Sequence, residues 1–326
     1  AVMTIGDIAV DWAHSEAIWI GTGEVNSSRS SYSGVGVYRV IPIQQQDGSL
    51  RYKAEHKGLT DTHHIGRVVV HPSDPNTIWV ASLGPLYTAG GQRGVFKTTD
   101  GGATWKQTLT PAAGCGAVDL VIDPLNPNVL YASTWNRDRK AWNFKGEGTG
   151  SAVCSSTDGG NTWKMMSHAG DGKTAFVGSV PADSVGRIGL ALHHSLAGHR
   201  LYAFIDNQAH RPDTALKKTE EGWKKDMFRE MKADAFLALT DSLLDQFLRD
   251  NGFGDEHSAA SVKEQVRNGK LQPVALYDYL YDANEDLFNT PIVGAEVYAC
   301  NPEKSDWKRT HADYLADVVF TYGSYF

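Results

Sequence analysis

The sequence predicts an all-β protein assembled from one repeated four-strand unit, on three observations. A polar, glycine-rich decapeptide, KTTDGGATWK at 97–106, returns 58 residues later as SSTDGGNTWK at 155–164. Paired apolar runs recur along the chain, with an aromatic in the second run at Trp19, Trp79, Tyr131 and Tyr202, spaced by 60, 52 and 71 residues. Thirty-three glycines and nine tryptophans among 326 residues supply the turns and large packing groups that short strands need.

Each unit opens with two strands: IAVDWAHSEAIWIGTG at 8–23, RVVVHPSDPNTIWVASLG at 67–84, VDLVIDPLNPNVLYASTW at 118–135 and RIGLALHHSLAGHRLYAFID at 187–206. HPSDPN and DPLNPN place proline and asparagine where a tight reversal needs a fixed φ or a left-handed residue. A third strand follows a gap of variable length: GVYRV at 36–40, GVFKTTD at 94–100, AVCSSTD at 152–158 and AEVYAC at 295–300. The fourth contains Leu50–Tyr52, Thr104–Lys106, Thr162–Lys164 or Asp306–Lys308. Four antiparallel strands joined in sequence and repeated read as blades of a β-propeller; a sandwich would not repeat one unit four times. About four blades are expected as part of a larger propeller, and TYGSYF at 321–326 reads as the first strand of a fifth.

The fourth blade is interrupted. ADAFLALTDSLLDQFLRDNG (233–252) sets Phe236, Leu239, Leu243, Leu244, Phe247 and Leu248 on one helical stripe, with Gly252 as a stop. SAASVKEQVRNG (258–269) and QPVALYDYLYDANEDLF (272–288) predict two more helices, and the charged stretch at 217–235 is expected to be helical in part. The chain therefore divides into 1–206 (three blades and the start of the fourth), 207–292 (a mainly α-helical insertion) and 293–326 (the rest of blade four and the next strand).

Net charge is −7 without a run of like charges, which argues against nucleic acid or an anionic membrane as partner. No apolar stretch is long enough to span a bilayer. Cys115, Cys154 and Cys300 form no CxxC pair, so no structural zinc site and no cofactor is expected, and their redox state stays open. His63-His64 and His193-His194 are adjacent on extended chain, so each pair points to opposite faces and chelates poorly; no metal is predicted.

Thr98-x-Asp100-x-Gly102-x-Thr104-Trp105 and Ser156-x-Asp158-x-Gly160-x-Thr162-Trp163 resemble the Asp-box, the bacterial neuraminidase repeat. The flanking phrases HHIGRVVVHPSDPNTIWVASLG and DLVIDPLNPNVLYASTWNRDR are similar to a large bacterial family of sortilin-like Asp-box propellers, often labelled glycosyl hydrolase. The resemblance covers nearly the whole chain. It implies an extracellular, periplasmic or cell-surface protein, although the chain itself shows no signal peptide. It also implies a longer polypeptide, of which this chain is an internal segment, with the remaining blades completing the propeller. In that family the box closes the turn between third and fourth strands, so Asp100, Gly102, Trp105, Asp158, Gly160 and Trp163 are expected to be structural. Units one and four carry IPIQQQDGSLRY and ACNPEKSDWKRT at the same place, as a replaceable turn can.

Strand order then separates two faces. The box turns and the HPSDPN-like turns share the lower face; the loops between second and third strands, at 23–34, 84–94 and 136–150 and from 207 to about 293, share the upper. Candidate ligand-binding residues there are Arg67, Arg187, His64, Glu24, Asn26, Trp135 and Trp142. The arginines can present forks to a carboxylate or phosphate, or bond a neighbouring blade's acids and carbonyls. Trp135, Trp142 and Tyr87 can stack on sugars or serve as packing lids. The insertion is expected to emerge on the same face, as a cap over the channel mouth or an ornament on the rim.

The expected function is a recognition or scaffold propeller that binds a peptide, glycan or protein. The alternative is a glycoside hydrolase, sialidase-like or endo-glucanase-like, which needs two carboxylates about 5–5.5 Å or roughly 6.5–9.5 Å apart. Glu24, Asp119, Glu147 and Asp206 are available, with Glu24 and Asp206 the weak catalytic candidates. The sialidase Phe/Tyr-Arg-Ile-Pro signature is not met, because Tyr38-Arg39-Val40-Ile41-Pro42 has one residue too many.

Overall fold

The computed structural model describes residues 4–167, 174–176, 180–195, 198–210, 223–254, 256–280, 292–312 and 315. It resolves into two compact units, Ala1–Ala209 with Ile292–Phe326, and His210–Pro291.

The first unit holds four four-stranded antiparallel sheets, each with strands hydrogen-bonded in chain order. Blade one is β1 (Ile5–Val10), β2 (Ile18–Thr22), β3 (Val37–Gln44) and β4 (Leu50–His56); blade two is β5 (Ile65–Val70), β6 (Ile78–Ser82), β7 (Gly94–Thr98) and β8 (Lys106–Leu109). Blade three comprises β9 (Cys115–Ile122), β10 (Leu130–Asn136), β13 (Val153–Ser156) and β14 (Lys164–Met165). Its upper loop contains a small hairpin, β11 (Asp138–Arg139) with β12 (Phe144–Lys145). A second hairpin, β15 (Thr174–Ala175) with β16 (Val180–Pro181), leads to blade four: β17 (Val185–Ser195), β18 (Gly198–His210), β19 (Ile292–Cys300) and β20 (Lys308–Arg309). The first strands β1, β5, β9 and β17 adjoin one another in sequence order, as the inner strands of a propeller do.

Packing between blades follows one scheme. Trp79 on β6 is fully buried and donates from Nε1 to the carbonyl of Gly159 in the next blade's turn, at 3.1 Å. Gly160, at φ +75°, allows that approach: a Cβ there would lie 2.6 Å from Trp79 Nε1. Trp19 bears on Gly102 with ring carbons Cη2 and Cζ3, each 3.3 Å from where a Cβ would lie. A second tryptophan reaches back. Trp105 Nε1 donates to Lys57 O (2.6 Å), Trp163 to Thr108 Oγ1 (3.3 Å) and Trp307 to Met166 O (3.1 Å), each into the preceding blade. Blade four thus keeps this clasp without the DGG turn.

Register corrects one alignment. Ala9, Val69 and Val121 face Trp19, Trp79 and Tyr131 across the first strand pair, and Gly189 faces Phe204. Phe204, not Tyr202, is the fourth member, because the β17–β18 hairpin runs further down than its counterparts and displaces an alignment made on the visible tyrosine.

The second unit has its own core. The stretch read as one helix over 233–252 is two, α1 (Ala233–Leu237) and α2 (Asp241–Asp250), broken where Lys263 Nζ bonds Leu239 O and the Asp241 carboxylate. α3 (Ala259–Arg267) starts at Ser258, whose hydroxyl accepts from Ser261 N at 3.3 Å, and α4 spans Val274–Leu280. Phe228, Phe236, Leu244, Phe247, Val262 and Leu276 pack together, whereas Leu243 of the expected stripe is exposed. Of the charged stretch, Lys225–Phe228 forms a 3-10 turn. The continuation of the third helix beyond residue 280 and the strand expected at 321–326 lie outside the described residues.

Candidate functional site

The lower turns satisfy themselves. Asp100 Oδ1 accepts from the Thr98 hydroxyl (2.7 Å) and Thr104 N (2.9 Å), and Oδ2 from the Thr104 hydroxyl (2.6 Å); the Thr98 oxygen in turn accepts from Gly102 N at 3.0 Å. Asp158 repeats this with Ser156 and Thr162 and adds Asn161 N at 3.0 Å. These bonds to the ionised form, the threonine hydroxyl first, hold both carboxyls well below the usual carboxylate range. Gly101 N and Gly159 N donate to Asn76 O and Asn128 O of the first turns, so both turn types occupy one end.

At the other end, one hydroxyl pinches the base of each loop: Thr22 Oγ1 to Gly36 O (2.7 Å), Ser82 Oγ to Gln92 O (2.6 Å) and Thr134 Oγ1 to Gly150 O (2.7 Å). The links between blades reach this end as well, through Gly34 N to His63 O and Gln92 N to Asp61 O.

Each inner strand carries a bulge here, and the residue beside it is Asp7, Arg67, Asp119 or Arg187. Arg67 Nε donates to Asp119 Oδ1 at 2.8 Å, and its Nη1 lies 3.6 Å from Asp7 Oδ1. Burial opposes the Arg67 charge, but the two carboxylates outweigh it and raise its pKa. The acids also join neighbouring inner strands: Asp7 Oδ2 accepts from Val68 N (2.7 Å) and Asp119 Oδ2 from Leu190 N (2.8 Å). Beside Arg67 a concavity of about 420 Å³ is lined by Val69, Leu120, Val121, Ile122, Pro124 and Leu192.

Arg187 is placed differently. Its guanidinium carbon lies 5.7 Å over the Trp135 ring, and among the described residues it has no hydrogen bond or ion pair. Burial lowers its pKa; Asp119 opposes this at a distance and Arg67 adds to it. Trp135 is buried, its Nε1 donating to Gly146 O at 2.6 Å, so it offers no open ring to a sugar. Trp142, in the loop that leaves Trp135, is 85% exposed. Tyr87 is partly exposed and donates to Arg29 O. Glu24 is half-buried and ties its own loop by accepting from Tyr32 N at 3.2 Å, and Asn26 is exposed.

His64 is fully buried with neither ring nitrogen in a well-formed hydrogen bond; burial, then the nearby Arg137, lowers its pKa to about 4, and the Glu24 backbone opposes this only in part. Asp206 is buried, accepts from Gln208 Nε2 on Oδ2 at 2.7 Å and leaves Oδ1 unpartnered. Burial, reinforced by Glu147, raises it to about 7. In register it follows Gly21, Ala81 and Ser133, a place that holds only small residues in the other blades.

Two residues were not singled out in sequence. Buried Arg137 donates to Ser27 Oγ (2.6 Å) and to Gly84 O and Pro85 O (2.9 and 3.3 Å), tying the loops of blades one, two and three. Arg93 donates to the carbonyls of Leu83, Pro85, Thr88 and Gly90. Both guanidiniums meet only neutral acceptors, and burial pulls Arg137 down to about 9, with Arg93 and Arg187 adding to the shift. The one cue was an arginine in each of the two loops, Arg93 in GQRG and Arg137 in NRDRKAW.

No family model and no curated protein matches the chain. Among solved structures it is similar to a GH74 xyloglucanase from Xanthomonas campestris, at 12% identity and a TM-score of 0.42, over 94% of this chain and 31% of that one. It is also similar to an ancestral GH74 enzyme, at 14% identity and a TM-score of 0.36, over 95% and 31%. The chain spans about a third of the length of these proteins.

Proposed function

We propose that the chain is the recognition part of a β-propeller and that it binds a glycan on the loop end of its blades. The observation that carries this reading is the contrast between ends. The DGG turns use every carboxylate oxygen internally, while the loop end gathers Arg187, Arg137, His64 and Asp206, each short of a hydrogen-bond or charge partner. Exposed Trp142 and Asn26, with half-buried Glu24, are the reachable contacts beside them. A glycan panel tests it: Trp142→Ala and Glu24→Gln should weaken a bound glycan, whereas Asp100→Asn should not. Equal binding in all three variants would remove the site from the loop end. No helix among the described residues is long and apolar enough to cross a membrane. From the resemblance of its turns to the Asp-box, we also propose that the protein acts outside the cytoplasm.

One observation favours hydrolysis as a second reading. Burial raises the Asp206 carboxyl to about 7, with Glu147 near enough to add to the shift, the electrostatic pattern of a general acid. Release of reducing sugar from a bound glycan, lost in Asp206→Asn, would establish it; binding without release at any pH leaves the protein a binding module.

A further inference from the structure

The positions beside the four bulges alternate in sign: Asp7, Arg67, Asp119, Arg187. The first three close on one another, since Arg67 lies between the two acids. Asp119 is then fully engaged, with Oδ1 accepting from Arg67 and Leu120 N and Oδ2 from Leu190 N. Arg187 comes next in the same order and is only partly buried, yet no carboxylate within hydrogen-bonding distance serves it among the described residues. Its guanidinium carbon lies 5.7 Å from the centre of the Trp135 ring, which is itself fixed by Gly146 O and by Phe144 edge-on at 6.2 Å.

We propose that Arg187 anchors a carboxylate group of an acidic glycan, one bearing uronic acids, at the loop end of the inner wall; this rests on the loop-end reading above. A guanidinium with an aromatic on one face keeps its planar N–H fork free at the edge, which matches a planar carboxylate in two parallel hydrogen bonds. Arg137 lies near enough to Arg187 to add to its attraction for an anion. The sugar part follows from the loop that begins at Trp135. It carries Trp142, 85% exposed, a ring on which the C–H face of a sugar can stack.

The test is calorimetric titration of the full chain with an oligogalacturonate, with the matching neutral galactose oligosaccharide, inorganic phosphate and a peptide with a free C-terminal carboxylate as separate arms. Saturable binding of the oligogalacturonate is expected. It should weaken at least tenfold in Arg187→Gln, recover in part in Arg187→Lys, and decline as salt rises. Thermal melts of the variants confirm that they fold. No saturable binding, equal binding of the neutral oligosaccharide, or unchanged affinity in Arg187→Gln would each overturn the assignment. Tighter binding of phosphate would overturn the carboxylate, and tighter binding of the peptide would overturn the glycan. A neutral oligosaccharide lost in Trp142→Ala but kept in Arg187→Gln would overturn this proposal and leave the loop-end reading standing.

Discussion

At the turn end of the blades, Asp100 and Asp158 are surrounded by donors two to four residues away, and Trp79, Trp105 and Trp163 bond a carbonyl or hydroxyl of an adjacent blade. At the loop end, Arg67 finds its acids 52 and 60 residues away on other blades, and Arg187 finds none among the described residues. Both ends are rich in polar groups; what differs is where their partners come from. A group satisfied within its own turn contributes to the same blade wherever that blade sits. Groups that depend on three blades at once, such as Arg137, are satisfied only where those blades come together. Buried charge without a charge partner is costly, and Arg137 offsets part of that cost through three neutral acceptors.

The largest expected effect breaks the turn end. Trp79→Ala removes a buried indole and its bond to Gly159, together with the ring stacked on His71 at 5.9 Å. Loss of roughly 3–5 kcal/mol is expected from chemical denaturation. A loss under about 1 kcal/mol would mean that the blades do not depend on this clasp.

The next sharpens the loop end by pH. Asp206 titrates near 7 folded and near ~3.9 unfolded, so its folded form keeps a proton that the unfolded chain has lost. Its stabilising contribution is complete below about pH 4 and disappears as pH rises through 7, on the order of 2–4 kcal/mol in all. His64 has the opposite slope: about 4 folded against ~6.5 unfolded, so it costs stability as pH falls below 6.5. In the wild type the two slopes oppose each other. Asp206→Asn should therefore gain stability relative to wild type between pH 4 and 8 and expose the rising limb of His64. Parallel stability–pH curves for the two proteins would show that Asp206 ionises normally.

The blades themselves were legible because the strand pattern and the turn residues are local. KTTDGGATWK declares its turn through Thr98, Asp100, Gly102 and Thr104, which are joined by side-chain bonds that fall inside the decapeptide. The candidate site was not legible, because its partners are set by inter-blade register. Nothing in the sequence of Arg67 and Arg187, each behind a glycine, distinguishes the arginine held by Asp7 and Asp119 from the one that is not. Trp135 and Trp142 are likewise both loop aromatics in sequence, yet one is buried under Arg187 and the other stands in solvent. Tyr202 misled for a related reason: hairpin length hides from an alignment built on aromatic residues, and Phe204 takes the place.

The smallest expected effect tests whether the turn end is architecture alone. Asp100→Asn keeps one oxygen acceptor but turns the other into a donor, which faces the Thr104 hydroxyl or the Thr98 hydroxyl and Thr104 N. Those hydroxyls can rotate, and the turn is exposed, so water replaces part of what is lost. A slightly lower melting temperature is expected, with the decrease larger in Asp158→Asn, because Asp158 also accepts from Asn161 N. Any ligand bound at the loop end should be held as tightly in both variants as in the wild type. If a well-folded Asp100→Asn or Asp158→Asn protein lost that binding, the division between the two ends would fail, and the chemistry would have to be sought in the turns.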